Sequence, residues 1–130
     1  MQNFVNDLLF KDECYNIIGL CMKVHSKLGK GFKEIVYKDV LEIELKKQAI
    51  SFEREKPLQI LYDGFTLPHS FVADFVVYDS IILELKASFQ IHPDNFRQTL
   101  NYLKATQIKL GLLINFGEKR LNFQRIVCSY

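Results

Sequence analysis

Near the start of the chain, apolar residues recur at three- and four-residue steps: Cys14, Ile17, Ile18, Cys21, Val24 and Leu28. At 3.6 residues per turn these positions share one face, so the spacing predicts an amphipathic helix over residues 14–28. Leu28-Gly29-Lys30-Gly31 ends it, because glycine accepts the left-handed backbone on which helices commonly stop. A second helix is expected over residues 32–48, with Tyr37, Leu41 and Leu45 as its stripe and Val36, Val40 and Ile43 beside it. The period then shortens to that of strands. Residues 57–62 run into the turn signal Asp63-Gly64, and residues 71–78 and 81–85 are rich in β-branched and aromatic side chains. A short loop around Asp79-Ser80 makes the last two runs an antiparallel hairpin. Pro93 and Asp94 suit the first turn of a third helix, which carries Phe96, Leu100 and Leu103 inward and ends near Ala105. Residues 110–114 are apolar almost throughout, as a strand covered on both faces must be, and a last strand is expected over residues 123–127. A strand, a crossover helix and a second buried strand imply a parallel pair. Joined to the hairpin, this makes the fold class α/β: a mixed sheet with flanking helices.

Three places in this pattern hold charges where apolar residues are expected. Along residues 71–78, alternation puts Phe71, Ala73, Phe75 and Val77 on one face and Val72, Asp74, Val76 and Tyr78 on the other. An ionised carboxylate between Val72 and Val76 is costly unless it is paired or bound to a metal. A salt-bridged or edge aspartate accounts for it as readily as a functional one. In Ile82-Leu83-Glu84-Leu85-Lys86, the acid and the lysine share a face while Leu83 and Leu85 point the other way. Such a pair is either a plain ion pair or a metal ligand beside a lysine that holds a water. Alone it is a weak signal; Asp74, ten residues upstream on the partner strand, strengthens it. Glu34 lies on the helical stripe of Tyr37, Leu41 and Leu45, where it serves either a site or simply the helix dipole.

Whether these residues meet depends on register. If Tyr78 closed the hairpin against Ile81, Asp74 would face Leu85 and no site would assemble. The pairing must put Asp74 opposite Glu84 or Lys86, through a three-residue loop or a bulge.

The segment Gly31-Phe32-Lys33-Glu34-Ile35-Val36-Tyr37 resembles the signature of the GxxExxY proteins, a small bacterial family of the PD-(D/E)XK nuclease-like superfamily. The resemblance runs from about His25 to Val127. It takes in Leu28-Gly29-Lys30-Gly31, Ala73-Asp74, Glu84-Leu85-Lys86-Ala87, Gln98, Tyr102-Leu103-Lys104 and the segment from Gly111 to Gly117. It implies a single restriction-endonuclease-like domain with an αββαβ-type core. It further implies that Asp74, Glu84 and Glu34 ligate Mg²⁺ or Mn²⁺ and that Lys86 acts with them in catalysis. Gln98 and Tyr102 carry the QxxxY spacing of RecB-type nucleases and would contact the nucleic-acid backbone or hold the lysine. Ala73 departs from the superfamily name, which has proline there. Phosphodiester hydrolysis develops negative charge on oxygen, so hard carboxylate ligands holding a divalent ion beside an ammonium form a coherent set. Without the ion, the clustered carboxylates would repel and at least one should hold a proton more tightly.

Composition adds bounds rather than identity. The 130 residues suit one domain, with residues 1–12 as a loose leading segment. With 17 basic and 15 acidic residues the formal charge is +2, too small to argue a nucleic-acid partner by itself. Lys23, Lys27, Lys30, Lys33 and Lys38 do cluster; Lys30 and Lys33 are candidate substrate contacts, against the alternative of a solvated face. Cys14, Cys21 and Cys128 have no metal spacing and read as buried apolar residues in a reducing compartment. With no secretory signal and no membrane-length apolar run, the expected location is the cytoplasm. His25 reads as structural, and His69 and His92 as loop residues. The expectation is a metal-dependent nuclease acting on nucleic acid, DNA ahead of RNA, with homodimerisation as a means of reaching two strands. The alternatives are a catalytically silent binding module on the same fold and an interaction protein whose charges form an ion-pair network.

Overall fold

The structure, a computed structural model, describes residues 9–128. Its elements are α1 (Lys11–Leu28), α2 (Glu34–Lys47), β1 (Phe52–Tyr62), β2 (Phe65–Val77), β3 (Ile81–Lys86), α3 (Pro93–Thr106), β4 (Leu110–Asn115) and β5 (Asn122–Val127). The loose segment expected over residues 1–12 falls partly outside the described residues; from Lys11 the chain is already helical. The strands form one sheet in the order β1-β2-β3-β4-β5. β3 and β4, joined through α3, are parallel, and the other neighbours are antiparallel. No helix among the described residues is long and apolar enough to cross a membrane.

Two apolar clusters cover the two faces of the sheet. Cys14, Ile17, Cys21 and Val24 of α1 pack with Tyr37, Leu41 and Leu45 of α2 onto Phe75, Val77, Leu83, Leu85, Leu112 and Ile114. On the opposite face, Leu103 of α3 joins Phe71, Ala73, Val76, Ile82, Leu113 and Ile126. All six residues of β4 are buried, as its apolar run requires. The three cysteines are buried free thiols.

Several expectations need correction. β1 begins at Phe52 rather than at residue 57, although Glu53-Arg54-Glu55-Lys56 carries little strand propensity. Its place at the sheet edge explains this, since an edge strand tolerates a charged face and a proline with no N–H to donate. β2 begins at Phe65, because residues beyond the sheet pair with β1 as a two-stranded ribbon, which also puts His69 within a strand. Ile43 is 52% exposed and Phe96 39% exposed, so neither joins the core. Leu100 and Leu103 do pack inward from α3, and Thr99 takes the buried place expected for Phe96. Gly111 lets that helix approach β4, since a Cβ there would meet the Thr99 Cγ2 at 3.2 Å.

The most consequential correction concerns alternation in β2. Phe71 and Ala73 face α3, whereas Phe75 and Val77 face α1 and α2. The faces exchange at Asp74. Opposite it in β1, Glu55 has a φ of 51°, a left-handed conformation inside a strand, and the Asp74–Glu55 position is missing from the ladder between Arg54–Phe75 and Lys56–Ala73. The alternating pattern therefore holds on either side of Asp74 but not across it.

Candidate active site

Val77 and Ile81 close the hairpin, so the connecting loop has three residues, Tyr78, Asp79 and Ser80. Tyr78 and Asp79 both take a φ of 56°, and the Ser80 N–H donates to the Val77 carbonyl at 3.1 Å. The ladder then runs through Val76–Ile82 to Phe75–Leu83. Continued by one step, it sets Asp74 opposite Glu84, the register the site requires. At that step the backbone ladder gives way to side chains. The Asp74 N–H donates to Glu84 Oε2 at 3.0 Å, and the Leu85 N–H donates to Asp74 Oδ2 at 2.8 Å. The two carboxylates thus fill a gap between splayed strands.

Burial dominates the electrostatics of Glu84, followed by the charge of Asp74. Together they push its pKa up to about 8, against smaller lowering contributions from the Asp74 N–H and Lys86. One proton shared between two such close carboxyl groups relieves the repulsion that two full charges would bring. Glu34, the first residue of α2, is likewise raised, by its own burial first and then by Asp74. Lys38 and Lys86 act on it in the opposite sense.

Lys38 is the site residue that the sequence reading placed with surface lysines. Its ammonium lies 2.8 Å from Asp74 Oδ1 and 3.4 Å from Glu55 Oε1, and its side chain is only 13% exposed. The available signal was its spacing: four residues after Glu34, one helical turn along the same face. Lys23 is also engaged, pairing at 2.9 Å with Glu44, a buried carboxylate on α2. Lys30 and Lys33 stay exposed in the loop before Glu34.

On the face toward α3, Asp74, Glu84, Lys86, Gln98 and Tyr102 line one open cleft of about 480 Å³, with Ile60, Ser70 and Val72 at its sides. Tyr102 is held by a stacked Phe71 ring at 3.6 Å between centroids. Glu34 and Lys38 approach Asp74 from α2, so the aspartate stands where the two helical layers meet the broken strand.

Two further devices fix the loops around the cleft. The buried Tyr37 hydroxyl donates to the Gly29 carbonyl at 2.6 Å and accepts from the Phe32 N–H at 3.3 Å. Its ring stacks on Phe116 at 4.7 Å. The loop leading to Glu34, where Gly29 and Gly31 take φ values of 70° and 111°, is therefore tied down by the tyrosine of the same segment. At the other end, the fully buried Asn115 amide accepts from the Ser88 and Gly117 N–H groups and donates to the Ser88 carbonyl and Glu118 Oε2. With the Phe116 N–H on the Lys86 carbonyl at 2.8 Å, this clamp holds the chain from Lys86 to Ser88. Gly117 lies so close that a Cβ would sit 2.2 Å from the Ser88 carbonyl oxygen. Gly117→Ala should therefore displace the loop after Lys86 and destabilise the fold by about 3 kcal/mol, read as a lower urea midpoint. Of the histidines, His25 Nε2 meets the Glu118 carbonyl at 2.9 Å, as a structural role predicts. His92 caps α3 by accepting from the Asp94 N–H.

The three-carboxylate metal cluster expected from Asp74, Glu84 and Glu34 is not closed. Among the described residues, no three carboxylate, imidazole or thiol side chains stand together closely enough to hold one ion. At Asp74, Lys38 supplies the neighbouring cation. The donor chemistry nonetheless fits a hard divalent ion. Magnesium is commonly held by one or two carboxylates, the rest of its octahedron being water and substrate phosphate. Asp74 and Glu84 meet that description; Glu34 stands at their margin.

Comparison with known proteins follows the same lines. The model of the PD-(D/E)XK nuclease superfamily matches residues 11–126. No curated protein matches the chain in sequence. Among solved structures, an alkaline exonuclease (LHK-Exo) from Laribacter hongkongensis is similar over 68% of this chain, with 10% identity and a TM-score of 0.48. The chain aligns with 52% of that exonuclease, about half its length. The family match takes in both strands of the hairpin, the splayed step between them and the helices on either side, so the α/β fold described above is of the restriction-endonuclease-like kind. The chain belongs to the PD-(D/E)XK nuclease superfamily.

Proposed function

We propose that this chain is a divalent-metal-dependent nuclease of the GxxExxY type, hydrolysing phosphodiester bonds with Mg²⁺ or Mn²⁺. The observation that carries this reading is the meeting of Asp74 and Glu84 at the opened step of the hairpin, with Lys86 in the same cleft. Asp74 and Glu84 would hold the ion. When bound, such an ion offsets charge on the phosphoryl oxygens and lowers the pKa of water. Lys86, a compact ammonium on a clamped strand end, donates a hydrogen bond to the attacking water or to a phosphoryl oxygen as charge develops there. Gln98 and Tyr102 present an amide and a phenol from α3 to the backbone of the bound strand. Glu34, at the start of α2 beside the same step, adds negative charge near the site without ligating the ion in this reading.

DNA is the preferred substrate in this reading, and a homodimer would bring two clefts to two strands. The three buried thiols suit the reducing cytoplasm. A second reading has a specific observation behind it: the Lys38–Asp74 pair, which would also suit a binding module whose charges only hold the fold together. One assay separates them. The protein is incubated with single- and double-stranded DNA and RNA in Mn²⁺, Mg²⁺ or EDTA, beside Lys86→Ala. The nuclease reading expects metal-dependent cleavage that the variant loses by at least about a thousandfold. Equal metal-dependent products from both proteins would remove Lys86 from the reaction, and none from either would favour the binding module.

A further inference from the structure

The two oxygens of Asp74 are held in different ways. Oδ2 accepts from the Leu85 N–H, a backbone group fixed in β3. Oδ1 faces Lys38, whose ammonium sits at the end of a flexible four-carbon stem. Of the two partners, only Lys38 can withdraw without moving a strand. It also has somewhere to go, because Glu55 Oε1 is already 3.4 Å from its ammonium and is half exposed. A divalent ion on Asp74 would stand within a few ångströms of that ammonium, where both side chains are largely shielded from water and like charges repel strongly. The position is unlike that of an ordinary surface lysine, since Lys38 is 13% exposed and Asp74 16%.

We propose that Lys38 is the resident counter-cation of Asp74, displaced when a divalent ion binds, and that the released ammonium then turns to the phosphate of the bound strand. This rests on the metal-dependent nuclease reading and adds a regulation to the same site. Lys38 keeps the acidic step neutralised before loading and raises the ion concentration needed to load it. It returns the same charge to the substrate afterwards. Lys38 approaches Asp74 from the α2 side, so its long stem has to carry the ammonium past that carboxylate to meet a phosphate on the ion.

The test is a Mn²⁺ titration by calorimetry on the wild-type protein, Lys38→Met and Lys38→Arg, without nucleic acid. Lys38→Met should bind Mn²⁺ about tenfold more tightly than wild type, and Lys38→Arg should stay near wild type because the charge is kept. In a Lys86→Ala background, which leaves the strand uncut, Mn²⁺-loaded Lys38→Met should bind a short oligonucleotide several-fold more weakly. Unchanged or weaker Mn²⁺ binding in Lys38→Met, with wild type binding normally, overturns the displacement. Unchanged oligonucleotide affinity overturns the transfer to phosphate. Absence of Mn²⁺ binding from wild type and variants alike overturns the metal site itself, and the inference with it. Should Lys38→Met fail to fold, Lys38→Gln removes the charge while keeping a hydrogen bond, and the same Mn²⁺ result is expected.

Discussion

Asp74→Asn should abolish the stabilisation that Mg²⁺ or Mn²⁺ confers and reduce cleavage by at least about a thousandfold, while leaving the metal-free fold almost as stable as before. The amide keeps the shape of the side chain, and its carbonyl oxygen can still accept the Leu85 N–H that Asp74 Oδ2 accepts now. Two effects on the metal-free protein oppose each other. The ion pair with Lys38 is lost, and the repulsion between Asp74 and Glu84 is relieved. Their near balance holds the change in metal-free stability to within about 1 kcal/mol. The metal-bound protein has no such compensation, because a neutral amide is a poor ligand for a hard divalent ion. At an ion concentration one hundred times Kd, the wild-type gain is about 2.7 kcal/mol, and the variant should show none of it. Thermal melts in EDTA and in Mn²⁺ on both proteins measure this directly. An undiminished shift in Asp74→Asn would move the ion away from this carboxylate.

The second large effect is the pH dependence that Glu84 imposes. Burial and the neighbouring Asp74 charge raise its pKa to about 8 in the folded protein, from an ordinary value of 4.5. A raised folded pKa means that the fold favours the protonated form. The associated stability is fully present below the unfolded pKa and is lost as pH rises through the folded one. In EDTA, the protein should therefore lose stability between about pH 4.5 and pH 8, amounting to a few kcal/mol. Glu34, raised in the same direction, adds to the loss. Metal binding reverses the requirement, since a ligating carboxylate must be ionised. The stabilisation conferred by Mn²⁺ should accordingly grow from pH 6 to pH 8.5, with proton release on binding at neutral pH. Urea midpoints across this range, with and without Mn²⁺, supply both slopes. Glu84→Gln should flatten the slope in EDTA; if it remains unchanged, another group carries the linkage.

Much of the fold was legible from periodicity. The apolar steps of α1 and α2, the wholly apolar β4 and the proline at the start of α3 each reflect a local rule, and the structure follows them to within a few residues. The early start of β1 was less legible, because pairing at an edge compensates residues with weak strand propensity. Phe96 and Ile43 show a different limit. Helical spacing tells which residues share a face, but not how wide a face the neighbouring layer covers. At the site, the need for a three-residue loop or a bulge followed from strand geometry alone, and Val77–Ile81 closure meets it with the loop.

Chemical type and spacing in the sequence alone determined that a carboxylate in β2 and a carboxylate–lysine pair in β3 stand among apolar residues, where bare charges are too costly to be idle. Tertiary structure decided what answers each charge. The exchange of faces at Asp74 falls opposite a left-handed residue in the neighbouring strand, and no pattern within β2 records it. Lys38 meets Asp74 only because the packing of α2 on the sheet brings its ammonium to that break. Asn115 guards Lys86 only because two loops distant in sequence converge on one amide. The difference has a physical basis. Burial and backbone periodicity are properties of a segment, whereas the partner that neutralises a buried charge is a property of whatever packs against it.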